Sequence, residues 1–248
     1  MFGRRVVLVL AAFMFVAAMS GIANADMIPF SWTGGTTAVY GNSTATSGST
    51  TVSAEFTVLK SITVTSLDVW RLVGTSMPSA GLAVGIFTDP YVNPPASTAQ
   101  LSTGTNNSLV GTLVGSATVL GTDPSALTNG ASNGTFYVHA LGAGSFTLAP
   151  GNYLIAEYWL NNTGGSTALP VMYSGTVVNT DPTTVTYTTQ PRMYSSGKSG
   201  LAFPTATGGS GVGYMSANFQ YVVPEPATIG LLVMGGIGVL GRAARRRA

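Results

Sequence analysis

From Ala54 onward the chain alternates apolar and polar positions in short runs, each bounded by Gly, Pro, Asn or Asp. In "AEFTVL", Phe56 and Val58 share one face. In "SITVTSLDVWRLV", Ile62 and Val64 share one parity, and Leu67 and Val69 the other, which predicts a β-bulge near Thr65-Ser66. "GLAVGIFTD" alternates Leu82, Val84 and Ile86, and "SLVGTLVGSATVL", "GTFYVHAL" and "SFTL" come next as further strand-like runs. "GNYLIAEYWLN" is the strongest run, and "YMSANFQYVV" closes the series with Met215, Ala217, Phe219 and Tyr221 on one face. No stretch between the two ends sustains an apolar period of 3.6 residues. Period-two runs with turn residues between them predict an all-β fold of roughly eight to ten antiparallel strands, a β-sandwich or jelly roll. Residues 26–53 are rich in Thr, Ser and Gly and read as a loose entry segment with one early strand. Residues 89–108 and 195–213 read as long polar loops.

The two ends break the pattern. Arg4 and Arg5 precede the apolar stretch "VVLVLAAFMFVAAM", and small residues Ala23 and Ala25 stand at the −3 and −1 positions before Asp26. This order predicts a signal helix over residues 1–25, taken by the Sec translocon and cut before Asp26 by signal peptidase. Residues 227–241, "ATIGLLVMGGIGVLG", carry no charge. As a helix they span about 22 Å, short of a hydrocarbon core of about 30 Å. They read as a short, temporary transmembrane helix, with Arg242, Arg245, Arg246 and Arg247 held on the cytoplasmic side. Both ends thus put the part between them across the inner membrane.

Charge changes the picture once the ends are set aside. The whole chain carries a formal net charge of +2. Between residues 26 and 223 the basic residues are Lys60, Arg71, Arg192 and Lys198, against seven acidic residues, for a net charge of −3. A mildly acidic folded part removes the electrostatic basis for nucleic-acid binding. Charged residues make up only 7% of the chain, and hydroxyl and amide side chains take their place. There is no cysteine, hence no disulfide and no thiolate metal site.

Pro224-Glu225-Pro226, a hydrophobic segment and a terminal arginine cluster, in that order, resemble the PEP-CTERM sorting signal. The resemblance covers about the last 25 residues. It implies recognition by an exosortase-type membrane protease, removal of the tail, and a Gram-negative host that makes exopolysaccharide and biofilm. A second resemblance spans about residues 54–222. The order "FTV…SITVTSLDVW", "AVGIFTD", "LVGTLVG", "FTLAPGNYLIAEYW" is similar to choice-of-anchor domains of the R type. It implies an exported β-sandwich and carries no catalytic residues. The division expected is a signal peptide at 1–25, an entry segment at 26–53, a β-sandwich passenger at 54–223 and the sorting signal at 224–248.

The candidate chemistry is sparse. Thr-Asp-Pro recurs at Thr88-Asp89-Pro90, Thr122-Asp123-Pro124 and Thr180-Asp181-Pro182, where Asp before Pro favours turn initiation over a calcium site. His139, the sole histidine, reads as a strand residue, since no G-x-S-x-G elbow surrounds any serine. No metal site and no cofactor are expected. Glu157 alternates with Tyr153, Ile155 and Trp159 and reads as one hydrogen-bonded acid on a packed face. Asn42, Asn106, Asn133 and Asn161 each begin an N-x-[S/T] sequon of the kind that arises by chance in such a composition.

The function expected is that of a non-catalytic, exported protein of the cell surface or extracellular matrix, with exopolysaccharide as its contact. One alternative is a carbohydrate-binding module with an aromatic platform drawn from Trp70, Tyr91, Tyr153 and Trp159. A second is a secreted glycoside hydrolase or lyase, for which paired acids would have to face each other.

Overall fold

The computed structural model describes residues 26–33, 36–40, 50–72, 77–90, 110–126, 134–159, 169–173, 176–187, 193–196, 200–204, 206–207 and 217–224. The chain divides into a unit of Asp26–Val222 and a unit made of Met1–Ala25 with Val223–Ala248. Of the second, only Val223 and Pro224 are described. The signal helix, the transmembrane segment and the arginine cluster therefore lie outside the described residues. Among the described residues no helix is long and apolar enough to cross a membrane.

The Asp26–Val222 unit is built of antiparallel strands. In chain order they are β1 (Phe30–Thr33), β2 (Thr36–Tyr40), β3 (Thr50–Val58) and β4 (Ile62–Leu72). Next come β5 (Leu82–Thr88), β6 (Leu113–Val119), β7 (Ser125–Ala126) and β8 (Gly134–Ala140). A single 3₁₀ turn, Gly142–Gly144, leads to β9 (Phe146–Leu148) and β10 (Gly151–Trp159). The rest are β11 (Leu169–Tyr173), β12 (Thr176–Asn179), β13 (Val185–Tyr187), β14 (Met193–Ser196), β15 (Ala206–Thr207) and β16 (Ala217–Val222). A seven-stranded sheet runs β15-β14-β3-β10-β5-β6, with β13 also on β3. A five-stranded sheet runs β16-β4-β8-β7, with β9 also on β4. Two small sheets pair β1 with β12 and β2 with β11.

Every run that alternates in the sequence supplies a strand here. The parity change in β4 is a bulge at Thr65: Tyr221 pairs with Val64 while Gln220 pairs with Ser66, skipping Thr65. The bulge lets Ile62 and Val64, then Leu67 and Val69, point to the same side, and all four have no exposed surface.

That side is the core. Phe56 of β3 meets Phe219 of β16 at 5.0 Å between ring centroids, joining the two larger sheets, and Phe30 of β1 packs edge-on against both at 6.0 Å. Ile86, Ile155, Val84, Leu148 and Val185 complete it, fully buried. Each such side chain contributes about 1.5–3 kcal/mol of burial free energy. Gly115 of β6 allows a close approach, since a Cβ there would lie 2.2 Å from the ring of Phe146 in β9.

Two segments depart from the expectation. Residues 26–53 hold β1, β2 and the start of β3, and Phe30 is buried in the core, so this stretch is structural rather than a loose entry. β1, Phe30-Ser31-Trp32-Thr33, does alternate, but over four residues only, too short a run to stand out in a stretch rich in Thr, Ser and Gly. Within 195–213, read as a loop, Phe203 is buried against Phe87, Leu154 and Ala156. One apolar plug on the sheet's second face leaves no periodic trace.

Candidate functional site

The stretch with the most specific chemistry, the sorting signal that opens with Pro224-Glu225-Pro226, begins where the folded unit ends. β16 carries Phe219 and Tyr221 into the core with no exposed surface. Val223 is half-buried and Pro224 is exposed. The last core residue and the first proline are thus three positions apart.

Tyr221 fixes this exit. Its backbone forms a bridge with Met27: Met27 N–H donates to Tyr221 O at 2.8 Å, and Tyr221 N–H donates to Met27 O at 2.9 Å. Its hydroxyl donates to Asp181 Oδ2 at 3.4 Å, and burial, helped by the Asp181 charge, holds that hydroxyl in its protonated form. Asp181 is the Thr-Asp-Pro residue that forms an Asx turn, accepting from Thr183 N–H at 3.2 Å and Thr183 Oγ1 at 2.8 Å. Hydrogen bonds from Thr184 and Thr183 hold its carboxyl below the usual range. The same turn ties down the start of the unit, as Thr180 N–H donates to Pro29 O and Thr180 Oγ1 to Ile28 O. Thr65, the bulge residue, donates to Asp26 Oδ1 at 2.8 Å.

The bridge is antiparallel, so the chain leading back from Met27 and the chain leading on from Tyr221 leave the unit side by side, in one direction. Met27 and Tyr221, near the two ends of the folded unit, are thus neighbours in space, a pairing that the sequence alone does not reveal. Ala23, Ala25, Glu225, Pro226, Arg242, Arg245, Arg246 and Arg247 lie outside the described residues.

The other candidates are distributed elsewhere. Trp70 and Tyr153, named as sugar contacts, are 1% and 8% exposed. Tyr153 stacks on Phe56 with centroids 5.8 Å apart and donates its hydroxyl to Ala149 O at 2.9 Å. Rings packed in this way present no face to a ligand, which corrects their assignment to a surface platform. Tyr91 and the side chain of Trp159 lie outside the described residues. Glu157 is buried on the packed face expected of it, and the group opposite is a guanidinium: Arg71 Nη2 lies 3.9 Å from Glu157 Oε1. Arg71 also donates from Nε to Met77 Sδ at 3.1 Å. Burial lowers the Arg71 pKa, and Glu157 and Tyr137 push it back up.

His139 Nδ1 lies 3.0 Å from Asp123 Oδ2, which also accepts from Leu120 N–H at 2.7 Å. Among the described residues no hydroxyl is hydrogen-bonded to the ring. Among the described residues no group of three or more His, Asp or Glu side chains is placed to hold a metal.

Comparison with known proteins agrees with the chemistry of the exit. Residues 222–247 match the PEP-CTERM protein-sorting motif. No curated protein and no solved structure matches the chain. Residues 222–247 therefore carry a PEP-CTERM sorting motif, which implies an exported, membrane-transiting protein sorted by an exosortase.

Proposed function

We propose that residues 26–223 form a non-catalytic β-sandwich that an exosortase-type protease delivers to the cell surface or extracellular matrix of a Gram-negative bacterium, in association with exopolysaccharide. The observation that carries this reading is the sorting motif directly after the last core strand. The Sec translocon exports the chain, signal peptidase cuts after Ala25, and residues 227–241 hold the product in the inner membrane until the tail is cut near Pro224-Glu225-Pro226. Contact between the two larger sheets through Phe56 and Phe219 supports the sandwich arrangement. The low charge of the chain supports a surface that meets polysaccharide through many weak hydrogen bonds rather than ion pairs. The motif order shared with choice-of-anchor domains of the R type points the same way.

Intact-mass analysis of the secreted fraction tests the route. The expected product starts at Asp26 and ends near the Pro-Glu-Pro motif. Replacing Pro224, Glu225 and Pro226 together by alanine leaves a membrane-bound species that keeps residues 227–248. Release of the same product from that variant, or from a host lacking its exosortase, defeats the proposal.

A further inference from the structure

The face of the seven-stranded sheet turned away from Phe56 carries a polar row that the sorting function does not use. Alternation along β3 puts Glu55 and Thr57 on this face, opposite in parity to Phe56. Register places Thr57 beside Asn152 of β10, and Thr57 Oγ1 donates to Asn152 Oδ1 at 2.9 Å. Asp89 extends β5 by one residue and donates its N–H to Asn152 O at 2.9 Å, so it lies on the far side of Asn152. Thr57, Asn152 and Asp89 thus form one row across three strands. Glu55 flanks the row on the next rung, beside Leu154, where Phe87, Phe203 and Leu154 form an apolar wall.

Glu55 is the anomaly. It is 4% exposed, and neither Oε1 nor Oε2 has a hydrogen-bond partner among the described residues. A buried carboxylate without partners is costly, and its surroundings should either neutralise it or complete it. Among the described residues no side-chain cation pairs with it. Burial, helped by the charge of Asp89, pushes the carboxyl up to about 9. Two acids, an amide oxygen and a hydroxyl oxygen make a hard oxygen donor set, and Thr57, Asn152 and Asp89 are only half-buried, which leaves a way in from solvent.

We propose that Glu55, Asp89, Asn152 and Thr57 form a divalent-cation site of the calcium type on this face of the sheet. The two carboxylates neutralise the ion, the amide and hydroxyl oxygens fill further positions, and water completes the shell. Calcium fits better than magnesium, because a row of side chains on a pleated sheet does not enforce an octahedron. The site turns a Thr-Asp-Pro aspartate that reads as a turn residue into a ligand, and it locks β3, β5 and β10 together at one end.

Calorimetric titration of the full chain in detergent with calcium chloride tests the site. One saturable event is expected, with a dissociation constant on the order of 10⁻⁴–10⁻³ M, the range of extracellular calcium modules. Calcium should raise the melting temperature above that in chelator. Glu55→Gln and Asp89→Asn should each weaken binding about tenfold or more, because ligand charge sets affinity. Asp89→Asn lies at a half-buried position and carries the test if Glu55→Gln does not fold. Heats indistinguishable from dilution in the wild-type chain would mean that Glu55 is only a buried neutral acid, and would overturn the proposal. Either variant binding calcium like the wild type would overturn it as well.

Discussion

Arg71→Met tests whether the core depends on the ion pair between its two larger sheets. Arg71 and Glu157 are 2% and 1% exposed, and their charged atoms are 3.9 Å apart. At an effective dielectric constant of about 20, a pair at that separation is worth about 4 kcal/mol. Breaking a buried pair from one side costs about 3–5 kcal/mol, because the remaining charge loses its counter-ion but not its burial. Methionine matches the unbranched stem of arginine, so the packing loss is small and the electrostatic loss dominates. We expect Arg71→Met to lower the unfolding free energy by about 4 kcal/mol at neutral pH, read from the denaturant midpoint at unchanged slope. Tryptophan fluorescence is a direct probe, since Trp70 is the buried neighbour of Arg71 in β4. The double variant Arg71→Met, Glu157→Met should recover most of the loss, because an apolar pair of similar volume is often as stable as the ions it replaces. A single variant that loses less than about 1 kcal/mol would refute the reasoning. So would a double variant as unstable as the sum of its singles, since coupled neighbours should deviate from additivity.

Further outcomes are expected from other parts of the fold. Asp68 is buried, and burial, partly offset by hydrogen bonds from Ser66 and Gln220, raises its carboxyl from 3.8 to about 6. Its stabilising contribution is therefore complete below the unfolded value and is lost as pH rises through about 6. Asp68→Asn should remove on the order of 3 kcal/mol of pH dependence in thermal unfolding between about pH 4 and 6, and an unchanged slope would count against it. Gly115→Ala should cost about 1–3 kcal/mol, because its Cβ would overlap the Phe146 ring held by the facing sheet, and chemical denaturation checks it. Phe30→Ala should cost about 3–5 kcal/mol, which separates a core strand from a loose entry segment in the same assay.

The legible part of this fold is the part whose information is local. Period-two alternation marks β3, β4, β5, β6, β8, β9, β10 and β16, because each has one face on the core and its pattern must repeat every second residue, whereas the short strands β7, β13, β14 and β15 are too brief to show it. The bulge at Thr65 is visible for the same reason, as a parity shift within one strand. The sorting motif is visible because its three parts are consecutive. What stays hidden depends on partners far away in the chain. β1 and β2 are short and are held by β12 and β11, far along the chain, a pairing that residues 30–40 cannot announce by themselves. The two candidate aromatics Trp70 and Tyr153 look like a platform, yet aromatic enrichment in a strand is served equally by a core, and burial decides it. The guanidinium opposite Glu157, the orphaned carboxyl of Glu55 and the meeting of Met27 with Tyr221 are properties of strand order, which no run of residues encodes by itself.

The Met27–Tyr221 bridge has a mechanical consequence. Two chains that leave a sheet side by side in one direction, when drawn apart, load their hydrogen bonds one after another, as in an unzipping hairpin. Chains that leave at opposite ends of a ladder load all the bonds at once and resist by shear. Any force that separates the two ends of this unit falls on its outermost contacts: the Thr65–Asp26 hydrogen bond at 2.8 Å, the Val222–Thr63 pair, and the bonds between Met27 and Tyr221 at 2.8 and 2.9 Å. Next in line are the remaining β16–β4 pairs, from Tyr221 inward. The unit is weak along the axis between its own ends, and a tether that remained attached at both would peel β16 from the core before it strained the seven-stranded sheet.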